Sequence, residues 1–134
     1  MSEPTAILVV DDHPSVAITL ADILEAKGFK VYSALSGAEA LKILGEHTID
    51  ILLTDVRMPD MDGVKLNREV RKTHPNLTTY LMTAYAADEL IQQGMKEGIK
   101  TVLSKPLDIN LIVALFMAYK SISSTTRRTE EDEK

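Results

Sequence analysis

Five short apolar, strand-like runs recur along this chain, and each is followed by a stretch with helical spacing. The clearest, Ala6 to Val10 (AILVV), is unbroken by any polar residue, the mark of a strand buried on both faces. Pro14 to Lys27 then reads as a helix, with Pro14 at its start and Gly28 as its stop. Lys30 to Ser33 predicts the second strand. Ser36-Gly37-Ala38-Glu39 is a capping box that opens a helix to about Gly45. Asp50 to Thr54 predicts the third strand, followed by a loop from Asp55 to Gly63 rich in Pro, Asp and Gly. Val64 to Thr73 is helical and stops before Pro75. Thr78 to Met82 and Thr101 to Ser104 complete the strands. Between them Ala86 to Glu97 is a helix, which Gly94 weakens by ~1 kcal/mol relative to Ala. Asp108 caps a last helix to about Lys120. Strands joined by helical crossovers are parallel, and right-handed crossovers put helices on both faces. The expected fold is therefore α/β, a doubly wound (βα)5 sheet.

One domain over residues 1–120 accounts for this pattern, and residues 121–134 read as a polar linker or tail without apolar periodicity. The chain has no cysteine, which excludes disulfides, a thiol nucleophile and Cys-ligated metals. No apolar run approaches the ~20 residues a spanning helix needs, and the N-terminus has no signal-peptide pattern, so the expected setting is cytoplasmic with no membrane partner. The formal charge is −5 with no basic cluster, which argues against direct nucleic-acid binding by this segment. The tail carries three Lys/Arg against four Asp/Glu, which leaves −4 for the folded part.

Half of that acidity falls in one place. Open α/β sheets bind ligands beyond the carboxyl ends of their strands. The first strand ends in Asp11-Asp12, the third in Asp55, the fourth in Thr83 and the fifth in Lys105-Pro106. Each residue alone has a plain explanation: a helix N-cap for Asp12, turn chemistry for Thr83, a solvated lysine for Lys105. Together, three carboxylates against one ammonium leave −2, which calls for a divalent cation or raised pKa values. The ligands are hard oxygens, so Mg²⁺ fits better than zinc or copper. Neither GxxxxGK[ST] nor GxGxxG is present, so the phosphoryl chemistry this implies would use a carboxylate nucleophile rather than a bound nucleotide.

These residues resemble the receiver domain of bacterial two-component response regulators. The resemblance rests on Asp11-Asp12, Asp55 in LLTDVRMPDMDG, Thr83 in LMTAY and Lys105-Pro106 in VLSKPLD, and covers about Ala6 to Tyr119. It implies a flavodoxin-like sheet in strand order 2-1-3-4-5. It implies that Asp55 accepts a phosphoryl group from a histidine kinase or a histidine phosphotransfer protein. Asp12 and Asp55 would bind Mg²⁺ directly, Asp11 partly through water, and the Arg57 backbone carbonyl would complete the protein ligands. Lys105 would pair with the phosphoryl group and Thr83 would hydrogen-bond it. The Lys105–Pro106 bond is expected to be cis. The first helix and the loop after the fifth strand would dock the phosphodonor, with Ala17 and Ile18 as exposed contacts. Such a protein is a phosphorylatable switch rather than a turnover enzyme, and it signals to an output domain or downstream protein. The alternatives are a Mg²⁺-dependent phosphatase, for which Arg57 is a poor proton donor, and a pseudo-receiver, which would have lost the acceptor or the acidic pair.

Several positions depart from the common pattern. Many receivers carry Tyr or Phe three residues before the lysine; here it is Val102, read as a plain strand residue, so the readout is expected to be muted or to pass through helix 4. Arg57 and Tyr85 are large at positions that in this family tune the access of water to the acyl phosphate, so the resemblance implies a phosphoryl lifetime longer than that of a variant with small residues there. The last helix is apolar nearly all round, from Ile109 to Tyr119. Its outer face, with helix 4 and strand 5, is the candidate dimer or output-docking surface, although Ile99-Lys100-Thr101 lack the acidic residues of the usual dimer. Gly63 is read as a backbone conformation closed to other residues. His13 is read as a surface residue rather than a ligand.

Overall fold

The computed structural model describes residues 3–85 and 87–119. The expected tail, 121–134, lies outside the described residues. Strands β1 (Ala6–Val10), β2 (Lys30–Ala34), β3 (Ile51–Asp55), β4 (Thr78–Thr83) and β5 (Thr101–Ser104) form one parallel sheet in the order β2-β1-β3-β4-β5. Helices α1 (Pro14–Ala26), α2 (Gly37–Glu46), α3 (Gly63–Arg71) and α4 (Glu89–Lys96) alternate with them, and α5 covers 109–119. This is the flavodoxin-like arrangement that the sequence implied. Among the described residues, no helix is long and apolar enough to cross a membrane.

Side-chain alternation along the central strands builds two cores. Ile7 and Val9 of β1 point to one face with Leu20 and Leu24 of α1 and Ile112 and Phe116 of α5. Leu8 and Val10 point to the other, against Ala40 and Leu44 of α2 and Leu66 and Val70 of α3. A third cluster, Val56, Val64, Leu81 and Ile99, seats α4, and Val102 packs on it together with Leu90 and Ile91. Each fully buried Leu or Ile contributes ~1.5–3 kcal/mol. The edge strands are recognisable from their partial exposure, with Lys30 at the start of β2 in solvent.

Element starts follow their caps. The Ser36 hydroxyl accepts the Glu39 N–H at 3.1 Å to open α2. Asp62 opens α3 by accepting the Lys65 N–H at 2.7 Å. Asp88 opens α4 by accepting the Leu90 N–H at 3.0 Å, which sets its start at Glu89 rather than at position 86. The positive φ of Gly28, +99°, ends α1 as expected.

Two sequence expectations are corrected here. Gly63 has no positive φ. It is glycine because a Cβ there would overlap the Asp55 carbonyl oxygen. Ala17 is fully buried, since it shares the inward face of α1 with Leu20, Ala21 and Leu24 at helical spacing, while Ile18 is 54% exposed.

Candidate functional site

Strand register brings the chemistry together. Val10 pairs with Thr54, and Thr83 pairs with Ser104. Asp11, Asp55 and Lys105 each follow within one residue, so they meet at the same edge of the sheet. The Lys105 Nζ donates to Asp11 Oδ2 at 3.0 Å and to Asp55 Oδ2 at 3.4 Å. Asp55 Oδ1 accepts the Val56 N–H at 2.9 Å. Asp11 is fully buried, and its Oδ1 accepts the His13 N–H at 2.9 Å. The Lys105–Pro106 bond is cis, as expected.

Asp12 does not cap α1. The helix begins at Pro14, its N-cap residue is His13, and no side chain caps it, so the plain explanation of Asp12 fails. Its Oδ1 is buried and has no hydrogen-bond partner, with His13 Nδ1 3.4 Å away. A buried carboxylate oxygen without a partner costs free energy unless something else satisfies it. One ligand atom from each of Asp11, Asp12, His13 and Asp55 lies within 4.8 Å of the others. The donor set, three carboxylates converging at a strand edge with one oxygen unpaired, fits a hard divalent cation.

Electrostatics point the same way. Burial pushes the Asp55 carboxyl above the ordinary carboxylate range; Lys105 opposes this and Asp11 reinforces it. Burial pulls the Lys105 ammonium down, but its bonds to Asp11 and Asp55 outweigh that and leave it raised. The folded state therefore binds the Asp55 proton more tightly than the unfolded chain does. The stability this contributes is fully present below the unfolded pKa and is lost as pH rises through the raised folded value. Asp55→Asn is accordingly expected to stabilise the protein at neutral pH by about 1 kcal/mol in divalent-free buffer. The gain should vanish as pH falls below about 4. Urea unfolding across pH measures this, and a gain independent of pH would contradict it.

Thr83 sits at the same edge, but its hydroxyl is turned into the β4–α4 loop. It accepts the Tyr85 N–H at 2.9 Å and donates to the Tyr85 carbonyl at 3.3 Å. The turn chemistry read from sequence describes its present bonds. Arg57, two residues after Asp55, forms a bidentate pair with Asp88, at 2.7 and 2.8 Å. This pair joins the β3–α3 loop to the cap of α4 and holds the Asp88 carboxyl below its ordinary range. The far end of α4 is tied to α3, through Arg68 to Glu97 at 2.7 and 3.0 Å and Asn67 to the Glu97 carbonyl at 3.2 Å. The Tyr85 side chain is exposed. Sequence reasoning missed Asp88 and the inward contact of His13. The Asp88-Glu89-Leu90 capping pattern was the available signal for the first.

Beside the site, α1 and the β5–α5 loop enclose an apolar groove of about 430 Å³. Val16, Thr19, Ile23 and Leu107 line it, and Lys105 and Pro106 reach it from the site.

The family model described as response regulator receiver domain matches residues 7–116. The chain is 37% identical over 121 residues to sensor histidine kinase RcsC of Salmonella typhimurium; the match takes in 90% of this chain and 13% of the kinase. It is 30% identical to sporulation initiation phosphotransferase F of Bacillus subtilis, over 88% of this chain and 95% of that protein. Among solved structures, a response regulator receiver domain protein from Clostridium thermocellum superposes with a TM-score of 0.84 at 27% identity, over 91% of this chain and 98% of that one.

Proposed function

The chain belongs to the response regulator receiver domain family, and from that premise we propose that it is a phosphorylatable switch with Asp55 as the acceptor. The observation that carries this reading is the cluster itself: Asp55 at the end of β3, with its Oδ2 3.4 Å from Lys105 Nζ and Asp11 beside it. An Asp55 oxygen attacks the phosphorus of a phosphohistidine. The new O–P bond forms as the N–P bond to the imidazole breaks, and the imidazole leaves with its electron pair. Asp11, Asp12, Asp55 and the Arg57 backbone carbonyl would hold Mg²⁺, which when bound supplies charge neutralisation for the phosphoryl oxygens.

The chain's own groups do the rest. Lys105 is already held at the acceptor and can pair with a phosphoryl oxygen. The Thr83 hydroxyl must leave Tyr85 to reach it. That movement pulls on the loop capped by Asp88, so α4 carries the change, in keeping with Val102 in place of a swinging aromatic. The apolar groove between α1 and the β5–α5 loop is where a histidine kinase or phosphotransfer domain would dock, with exposed Ile18 on the same helix as a further contact. The protein accepts and releases its own phosphoryl group and does not turn over a separate substrate. Its output passes to another domain or protein partner.

Acetyl phosphate with Mg²⁺, read by intact mass, tests the acceptor. One phosphoryl adduct is expected on the wild type and none on Asp55→Ala. An adduct on both would move the acceptor elsewhere, and none on either would remove phosphoryl acceptance.

A further inference from the structure

We propose that His13 is a nitrogen ligand of the cation site, so that this site favours first-row ions with imidazole affinity, such as Co²⁺, over what its carboxylates alone would select. The inference rests on the cation-site reading above and concerns which ion the site holds. Its basis is where the ring lies. The His13 side chain is 68% exposed, yet its Nδ1 turns inward to the acidic pair, 3.1 Å from Asp11 Oδ1 and 3.4 Å from Asp12 Oδ1. An exposed imidazole has many orientations open to it. This one brings a nitrogen donor into the only group of four potential metal ligands found among the described residues.

The spacing suits a coordination shell. An octahedral ion with bonds of about 2.1 Å holds neighbouring donors roughly 3.0 Å apart and opposite donors roughly 4.2 Å apart. The two His13 distances are close to the first value, and the whole set lies within 4.8 Å, wider than the second, so the outer donors would draw in around an ion. The backbone fixes the placement. His13 is the extended N-cap residue of α1, at φ −94° and ψ 108°, and its N–H is bound to Asp11 Oδ1. Pro14 follows at the first helical position.

A simpler account makes Nδ1 only a donor to Asp11. That account satisfies Asp11 and leaves the buried Asp12 Oδ1 without a hydrogen-bond partner. With the ring proton on Nε2, the Nδ1 lone pair is free for an ion that Asp12 Oδ1 also touches. Imidazole adds little for Mg²⁺ and much more for Co²⁺, Ni²⁺ or Zn²⁺. Aspartates alone would leave the choice to charge and size. A nitrogen in the set makes it depend on His13.

Calorimetric titration of the whole chain with Mg²⁺ alone and Co²⁺ alone, at one fixed pH, separates the two claims. His13→Ala is expected to weaken Co²⁺ by about tenfold or more and to leave Mg²⁺ within about twofold. Proton NMR of the Co²⁺ form should show strongly shifted imidazole signals that disappear in His13→Ala. Equal changes for both ions, or no shifted imidazole signal in the wild type, would overturn the His13 assignment. Asp12→Asn is expected to weaken both ions; if it weakens neither, the cation site itself is misplaced.

Discussion

Replacing Lys105 with methionine is expected to lower the free energy of unfolding by about 2–3 kcal/mol in divalent-free buffer. Methionine keeps most of the apolar stem and removes the charge. Among the described residues, Lys105 is the sole ammonium bonded to Asp11 and Asp55, and Asp11 is fully buried. Removing one partner of a fully buried pair costs about 3–5 kcal/mol, because the other charge stays behind unpaired. The Lys105 side chain is 24% exposed, so water screens part of the interaction and the smaller figure applies. Saturating Mg²⁺ should narrow the gap between variant and wild type. An ion at 100 times its Kd adds about 2.7 kcal/mol, and the variant, which lacks a competing cation in the site, should bind Mg²⁺ more tightly. Urea unfolding of both proteins in EDTA and in Mg²⁺ gives the four values. The same loss in both buffers would mean that Lys105 acts by packing and that the acidic cluster does not control stability.

What was legible in the sequence follows from what local patterns encode. The β1 run AILVV announces a strand buried on both faces because no polar residue interrupts it, and both cores do take residues from it. Asp11, Asp55, Thr83 and Lys105 were legible as a group because parallel strands deliver all their carboxyl ends to one edge. The direction of a side chain at that edge was not legible. Thr83 turns to Tyr85 because the loop after β4 offers a backbone N–H and a carbonyl at the right distance. Arg57 finds Asp88 across 31 residues, which no local pattern reports. Ala17 and Ile18 are adjacent and both apolar, and only the phase of α1 against the sheet decides which is buried. His13 was judged by its residue type, whereas its inward contact depends on the extended cap that precedes Pro14.

Gly63→Ala is expected to cost about 3 kcal/mol, which sets this glycine apart from one kept for its backbone freedom. Alanine is the better helix former, and at a compatible φ the exchange normally stabilises by about 0.4–1 kcal/mol. Gly63 is the first residue of α3 and its φ is not positive, so propensity alone predicts a gain. The close approach predicts the opposite. The new methyl would overlap the Asp55 carbonyl oxygen and lie 3.1 Å from Leu81 Cδ2 and 3.2 Å from Thr54 Cγ2. A side chain could rotate away, but a backbone carbonyl cannot. The Gly63 N–H is also held by the Val56 carbonyl at 2.8 Å, so the helix end cannot slide outward without losing that bond. Relief must come from moving Asp55 itself, and phosphoryl acceptance should fall along with stability. Gly28→Ala is the matched control: its φ is +99° with open space around it, so only the conformational cost of about 1–2 kcal/mol applies and the site is untouched. Urea unfolding and acetyl phosphate labelling of both variants separate the two roles. A Gly63→Ala protein as stable as the wild type and fully labelled would show that the loop behind Asp55 can yield, and the packing account of this glycine would fail.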